Sequence, residues 1–180
     1  MKGVVFTEFL EMVEAKMGMD MVDRILDECQ LPSGGIYTSL GTYDHREIVQ
    51  MVMRLSEHTR MPVPALVQGF GQHLLGRFAI GYPDFFQSAG GAFGVLSRIE
   101  DHIHVEVRKL YPEAELPTFQ IDQTDERTLH MTYRSSRPFA DLAEGLIRGC
   151  IEHFREDIAV ERHDLEGGTG TAARFELTRR

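Results

Sequence analysis

Tryptophan is absent from this chain, and cysteine occurs only twice, at Cys29 and Cys150, without CxxC spacing. That scarcity argues against a disulfide framework or a cysteine-built structural zinc site. Two isolated buried thiols are the expectation. No apolar run approaches the roughly 20 residues needed to span a bilayer, so membrane insertion is not expected. The opening MKGVVFTEFLEMVEAK carries Glu8 and Glu11 and lacks the layout of a secretory signal, which points to a cytoplasmic address. Basic charge is scarce as well. Nineteen Lys and Arg face 28 Asp and Glu, the net charge is -9, and nothing forms a basic stripe. A nucleic-acid-binding surface is therefore not expected. Linkers, internal repeats and low-complexity tracts are missing too. What remains is a chain of 180 residues, 42% hydrophobic and 26% charged, enough for one domain with a real core or two intimate subdomains.

Before Pro112 the apolar period is helical. Val4, Val5, Leu10, Met12 and Val13 recur at helical spacing up to Gly18, and residues 19–29 repeat the pattern before the break LPSGG. Asp44 is placed to cap a helix to about Thr59 with Ile48, Met51, Val52 and Leu55 as its stripe. Pro62 and Pro64 punctuate the start of a further helix through Leu66, Phe70, Leu74 and Phe78, interrupted at GYPDFF. A long helix is expected from about Phe93 to Leu110. After Pro117 the period becomes two: TFQID and RTLHMTYRSS read as strands around QTDE, then a helix from Pro138 through Phe154, then IAVERHDLE and ARFELTR around GGTG. Helices followed by ββαββ give an α+β fold with a four-stranded antiparallel sheet.

One stretch poses a chemical question. In TYRSSRPF, Tyr133, Ser135 and Arg137 share a parity with Leu129 and Met131, so on an extended strand they continue an inward face. An inward guanidinium needs an anion. Arg137 reaching water from a polar strand end is the plain alternative. A second cluster is IEDHIHVEVRKLYP, with His102 and His104 about 200° apart on a helical wheel. They cannot grip one metal together. With Leu96, Ile99, Ile103, Val107 and Leu110 as the buried stripe, each lies at its edge, and the wheel does not choose between them.

In combination these features are specific. MKGVVF at the start, FGQ at Phe70–Gln72, IHVEVRKLYPEAELP, then Y-x-S-x-R and the closing ββαββ resemble the H-NOX family of haem domains that bind nitric oxide or oxygen. The resemblance spans essentially the whole chain. It implies one H-NOX domain over residues 1–180, with a distal helical subdomain over about 1–60 packed on a proximal subdomain over about 61–180, and haem b between them. It selects His104, not His102, as the axial iron ligand, since only His104 stands at the family's distance before Tyr133. It assigns Tyr133, Ser135 and Arg137 to the two haem propionates, which answers the question of the anion. Pro117 matches a proline that presses on the haem.

Oxygen-binding members carry a tyrosine donor at the position of Leu142, and Val5, Phe9, Leu74, Phe78 and Leu146 match the rest of the distal lining. All are apolar, so the resemblance implies discrimination against oxygen and tight binding of nitric oxide, with CO as a further ligand. His73 and Tyr82 remain alternative donors. Without tryptophan, the supporting aromatic role falls to Phe9. Gly71 and Gly145 lie near family hinges, although either could equally serve close packing. The C-terminal stretch lacks the cysteines of a family zinc site. The chain ends after this domain, which implies a non-enzymatic sensor signalling in trans to a histidine kinase or a cyclic-di-GMP enzyme (diguanylate cyclase or phosphodiesterase). Two other readings compete: a haem or metal enzyme using His102, His104 and Glu100 or Asp101, and a cofactor-free module whose strand arginine anchors a fatty carboxylate.

Overall fold

The order of helices and strands read from the chain is present in a computed structural model, which describes residues 1–180. The chain forms two units, Met1–Phe70 and Gly71–Arg180. The division falls inside a helix.

The first unit holds α1 (Gly3–Met17), α2 (Met19–Asp27), α3 (His45–Thr59) and the first part of α4 (Val63–Gly81). Gly18, at φ 87°, breaks α1 from α2 in a backbone region that side chains resist. Asp44 caps α3, its carboxylate accepting from the Arg46 amide at 2.9 Å, worth about 1 kcal/mol for such a cap. The stripe residues Ile48, Met51, Val52 and Leu55 are all buried. Phe6 is fully buried and stacks on Tyr37 at 4.6 Å. Near it, Glu47 is 3% exposed and accepts from the Tyr37 hydroxyl at 2.8 Å and from the Ser33 hydroxyl.

The second unit contains the rest of α4, then α5 (Pro83–Ala89), α6 (Ala92–Leu96), α7 (His104–Leu110) and α8 (Ala140–Phe154) with the sheet. Strands β1 (Thr118–Gln123), β2 (Thr128–Arg134), β3 (Ile158–Asp164) and β4 (Ala172–Arg179) are antiparallel in the order β1-β2-β4-β3. The period-two reading of β2 holds where it matters: Leu129, Met131 and Tyr133 are buried, and opposite them in register lie Leu177, Phe175 and Ala173, all fully buried. The small Ala173 faces the large phenol ring. These residues join Ile147 and Cys150 of α8 and Phe93 and Leu96 of α6 in one apolar core.

Two expectations need correction. The helix expected over Phe93–Leu110 is not continuous. The Arg98 amide turns tightly back to Val95, after which Ile99–Ile103 widens into a π-helical turn, with the Ile103 amide bonding to Arg98 and the His104 amide to Ile99. The extra residue per turn rotates the downstream face, so His104 is buried while Leu110, expected in the stripe, is 67% exposed. Strand β2 also ends at Arg134, before Ser135 and Arg137. The Ser135 hydroxyl accepts from the Arg137 amide at 3.0 Å, a local bond of the kind that competes with strand pairing.

Candidate functional site

His104 opens α7 and is 8% exposed, whereas His102, two residues earlier, is exposed and lies flat on Phe85 with ring centroids 5.2 Å apart. Burial pulls the His104 pKa below the ordinary imidazole value, with Glu100 opposing the shift. Burial thus favours the neutral ring. Its Nδ1 lies 3.0 Å from Glu100 Oε1, which leaves Nε2 as the nitrogen able to bind a metal. Phe119 of β1 packs beside it, ring centroids 6.1 Å apart, and touches Tyr133 at 5.5 Å on its other side.

Tyr133, Ser135 and Arg137 do converge, though by a bend and not by strand alternation. The Tyr133 hydroxyl points to the Arg137 carbonyl oxygen at 3.5 Å, and burial raises its pKa while Ser135 beside it opposes the rise. The Arg137 side chain is only 16% exposed, and its guanidinium donates to the Glu115 carbonyl oxygen at 3.3 Å and to the Glu115 carboxylate. Glu115 itself is 71% exposed. The inward guanidinium thus has a carboxylate partner from ELP, one the strand pattern gave no means of finding. Pro117 is half-buried between Glu115 and β1.

The apolar candidates of the second unit lie on two helices. Leu74 is buried and Phe78 half-buried one turn apart on α4; Leu142 and Leu146 are half-buried one turn apart on α8. These helices approach closely, because a Cβ on Gly71 would stand 2.6 Å from the Leu142 carbonyl oxygen and 2.8 Å from Gly145. Close packing, one of the two roles open for Gly71 and Gly145, is therefore occupied. Tyr82 is 61% exposed, and His73 is half-buried on α4. In the first unit, Val5 is half-buried on α1, and Phe9 is fully buried, its ring edge-on to Phe70 at 5.4 Å.

These residues fit an iron porphyrin: one buried neutral imidazole with a single nitrogen free, apolar leucines, and an arginine already holding a carboxylate. The sequence offers Glu100 or Asp101 beside the two histidines without choosing between them. Its spacing of one turn before His104 was the available signal for its present contact.

Comparison with known proteins agrees. A family model described as Haem-NO-binding matches residues 2–162. Among solved structures, an Fe(II) unliganded H-NOX protein from K. algicida is 38% identical, covering 100% of this chain and 97% of that one with a TM-score of 0.92. An H-NOX protein from S. oneidensis in the Fe(II)NO state is 27% identical, covering 100% and 99%, with a TM-score of 0.91. The IWP-051-bound H-NOX from Shewanella woodyi in the Fe(II)CO state is 43% identical, covering 100% and 95%, with a TM-score of 0.85. Soluble guanylate cyclase 89Da of Drosophila melanogaster is 24% identical over 94% of this chain, which spans 26% of that protein. The chain belongs to the Haem-NO-binding (H-NOX) family, whose members are haem-based gas-sensing domains.

Proposed function

We propose that this chain is a nitric oxide sensor that holds haem b through His104, also binds CO, and discriminates against oxygen. When bound, the haem would supply an iron able to take up a diatomic gas. His104 offers its neutral Nε2. Arg137, Tyr133 and Ser135 supply donors for the propionates, a carboxylate of the ligand taking the place that Glu115 holds at the guanidinium. Pro117 borders this group. Leu74, Phe78, Leu142 and Leu146 provide apolar lining without a hydrogen-bond donor.

The observation that carries the reading is the geometry of His104, buried and held at Nδ1 by Glu100. The choice of gas rests on Leu142, half-buried where oxygen-binding relatives place a donor. Bound oxygen gains much from a donor; nitric oxide binds ferrous iron tightly without one. The S. oneidensis and S. woodyi structures, with NO and CO respectively, support both ligands here. Signalling in trans to a histidine kinase or a cyclic-di-GMP enzyme in the cytoplasm completes the proposal. No helix is long and apolar enough to cross a membrane. Absorption spectra of the ferrous protein under nitrogen, air, CO and nitric oxide test it. Distinct NO and CO spectra, with air giving no stable ferrous complex, are expected; a long-lived oxygen complex refutes the selectivity.

A further inference from the structure

We infer that Glu100 is a positioning residue that sets the ligand strength of His104 and ties that ligand to strand β1; this rests on the haem reading above. Glu100 Oε1 stands 3.0 Å from His104 Nδ1 and also accepts from the Phe119 amide at 2.7 Å. Its other oxygen lies 3.9 Å from Arg108 Nη2, and the side chain is 24% exposed. A single carboxylate oxygen therefore joins the π-helical turn, the candidate ligand and the first residues of β1.

Two consequences follow. A carboxylate accepting from Nδ1–H fixes the ring's tautomer and orientation and draws the proton toward itself. The imidazole gains anionic character and becomes a stronger donor at Nε2, which favours ferric over ferrous iron. The second consequence is mechanical. Phe119 sits opposite Tyr133 in the β1–β2 register, so a shift of His104 is passed through Glu100 to the strand pair that carries Tyr133 and leads into Ser135 and Arg137. The Phe119 amide and Arg108 share the carboxylate's charge and keep the acceptor in place when the ring moves.

The test compares wild type with Glu100→Gln, Glu100→Ala and, as a charge control, Asp101→Asn, each loaded with hemin and reduced. Resonance Raman gives the iron–histidine stretch, spectroelectrochemistry the midpoint potential, and thermal melts confirm folding. Both Glu100 variants should lower the stretching frequency and reduce the ferric-to-ferrous ratio at fixed potential about tenfold, equivalent to about 59 mV for one electron. Asp101→Asn should change neither. Glu100→Gln keeps an oxygen for the Phe119 amide, which separates the effect on iron from loss of the turn. Folded, loaded Glu100 variants with wild-type frequency and potential overturn the inference. Failure of the wild type to show any iron–histidine stretch instead overturns the haem reading and this inference with it.

Discussion

Replacing Arg137 tests the propionate assignment with a magnitude that the structure bounds. A charge-assisted hydrogen bond to a mostly buried guanidinium contributes about 1.5–3 kcal/mol. Against it stands the pair with Glu115, whose carboxylate is 71% exposed, and such a pair contributes about 0–1 kcal/mol. The net loss on Arg137→Met is then about 0.5–3 kcal/mol, which at 1.4 kcal/mol per decade weakens hemin binding about 2- to 140-fold. Tyr133→Phe should cost less, about 0.5–1.5 kcal/mol for one neutral bond, since its hydroxyl lies 3.5 Å from its present acceptor. Glu115→Gln removes the competitor and should slow hemin loss about two-fold, within the small range of an exposed pair. That gain should vanish when Arg137→Met is added, because the two carboxylates contend for one guanidinium. The assay is the rate of hemin transfer to an excess of a haem-scavenging protein, with apoprotein melts as the control for folding. Wild-type retention by a folded Arg137→Met variant would refute the assignment, and faster loss from Glu115→Gln would show that Glu115 aids the haem.

Leu142→Tyr introduces a donor on α8 and should lengthen the lifetime of a ferrous oxygen complex, followed by stopped-flow absorbance; an unchanged lifetime would place the lining elsewhere. Burial pushes the Cys150 thiol up to about 12, so in the folded protein it should resist alkylation while half-buried Cys29 reacts, as peptide mass mapping after iodoacetamide would show; equal labelling would contradict this. Phe175→Ala empties the centre of the sheet core, where the ring is fully buried, and should cost about 3–5 kcal/mol in chemical denaturation; a loss under 1 kcal/mol would mean the core collapses to fill it.

The helical stripes and the alternation of β2 were legible because each rests on a period imposed by burial on one face. Leu129, Met131 and Tyr133 needed only parity, and Asp44 needed only its place before an apolar run. The break at Ser97–Arg98 was not legible, since the same apolar spacing suits a straight helix, and no glycine or proline marks the π-helical turn. That turn decided which histidine is buried, a choice the wheel left open. Side-chain partners far apart in sequence were hidden as well. Nothing in ELP announces that Glu115 meets Arg137, and nothing around Glu47 announces its bonds to Ser33 and Tyr37. Arg162, pairing with Asp141 and the buried Glu144 of α8, is a further case. Such contacts arise only once the chain is folded.

The most direct test is the ferrous absorption spectrum of His104→Gly beside His102→Ala, with and without added imidazole. A haem Soret band should be present in wild type, weakened or lost in His104→Gly, restored by imidazole, and unaltered in His102→Ala. A wild-type protein that stays colourless when offered hemin, or equal effects from the two substitutions, would contradict ligation of iron by His104.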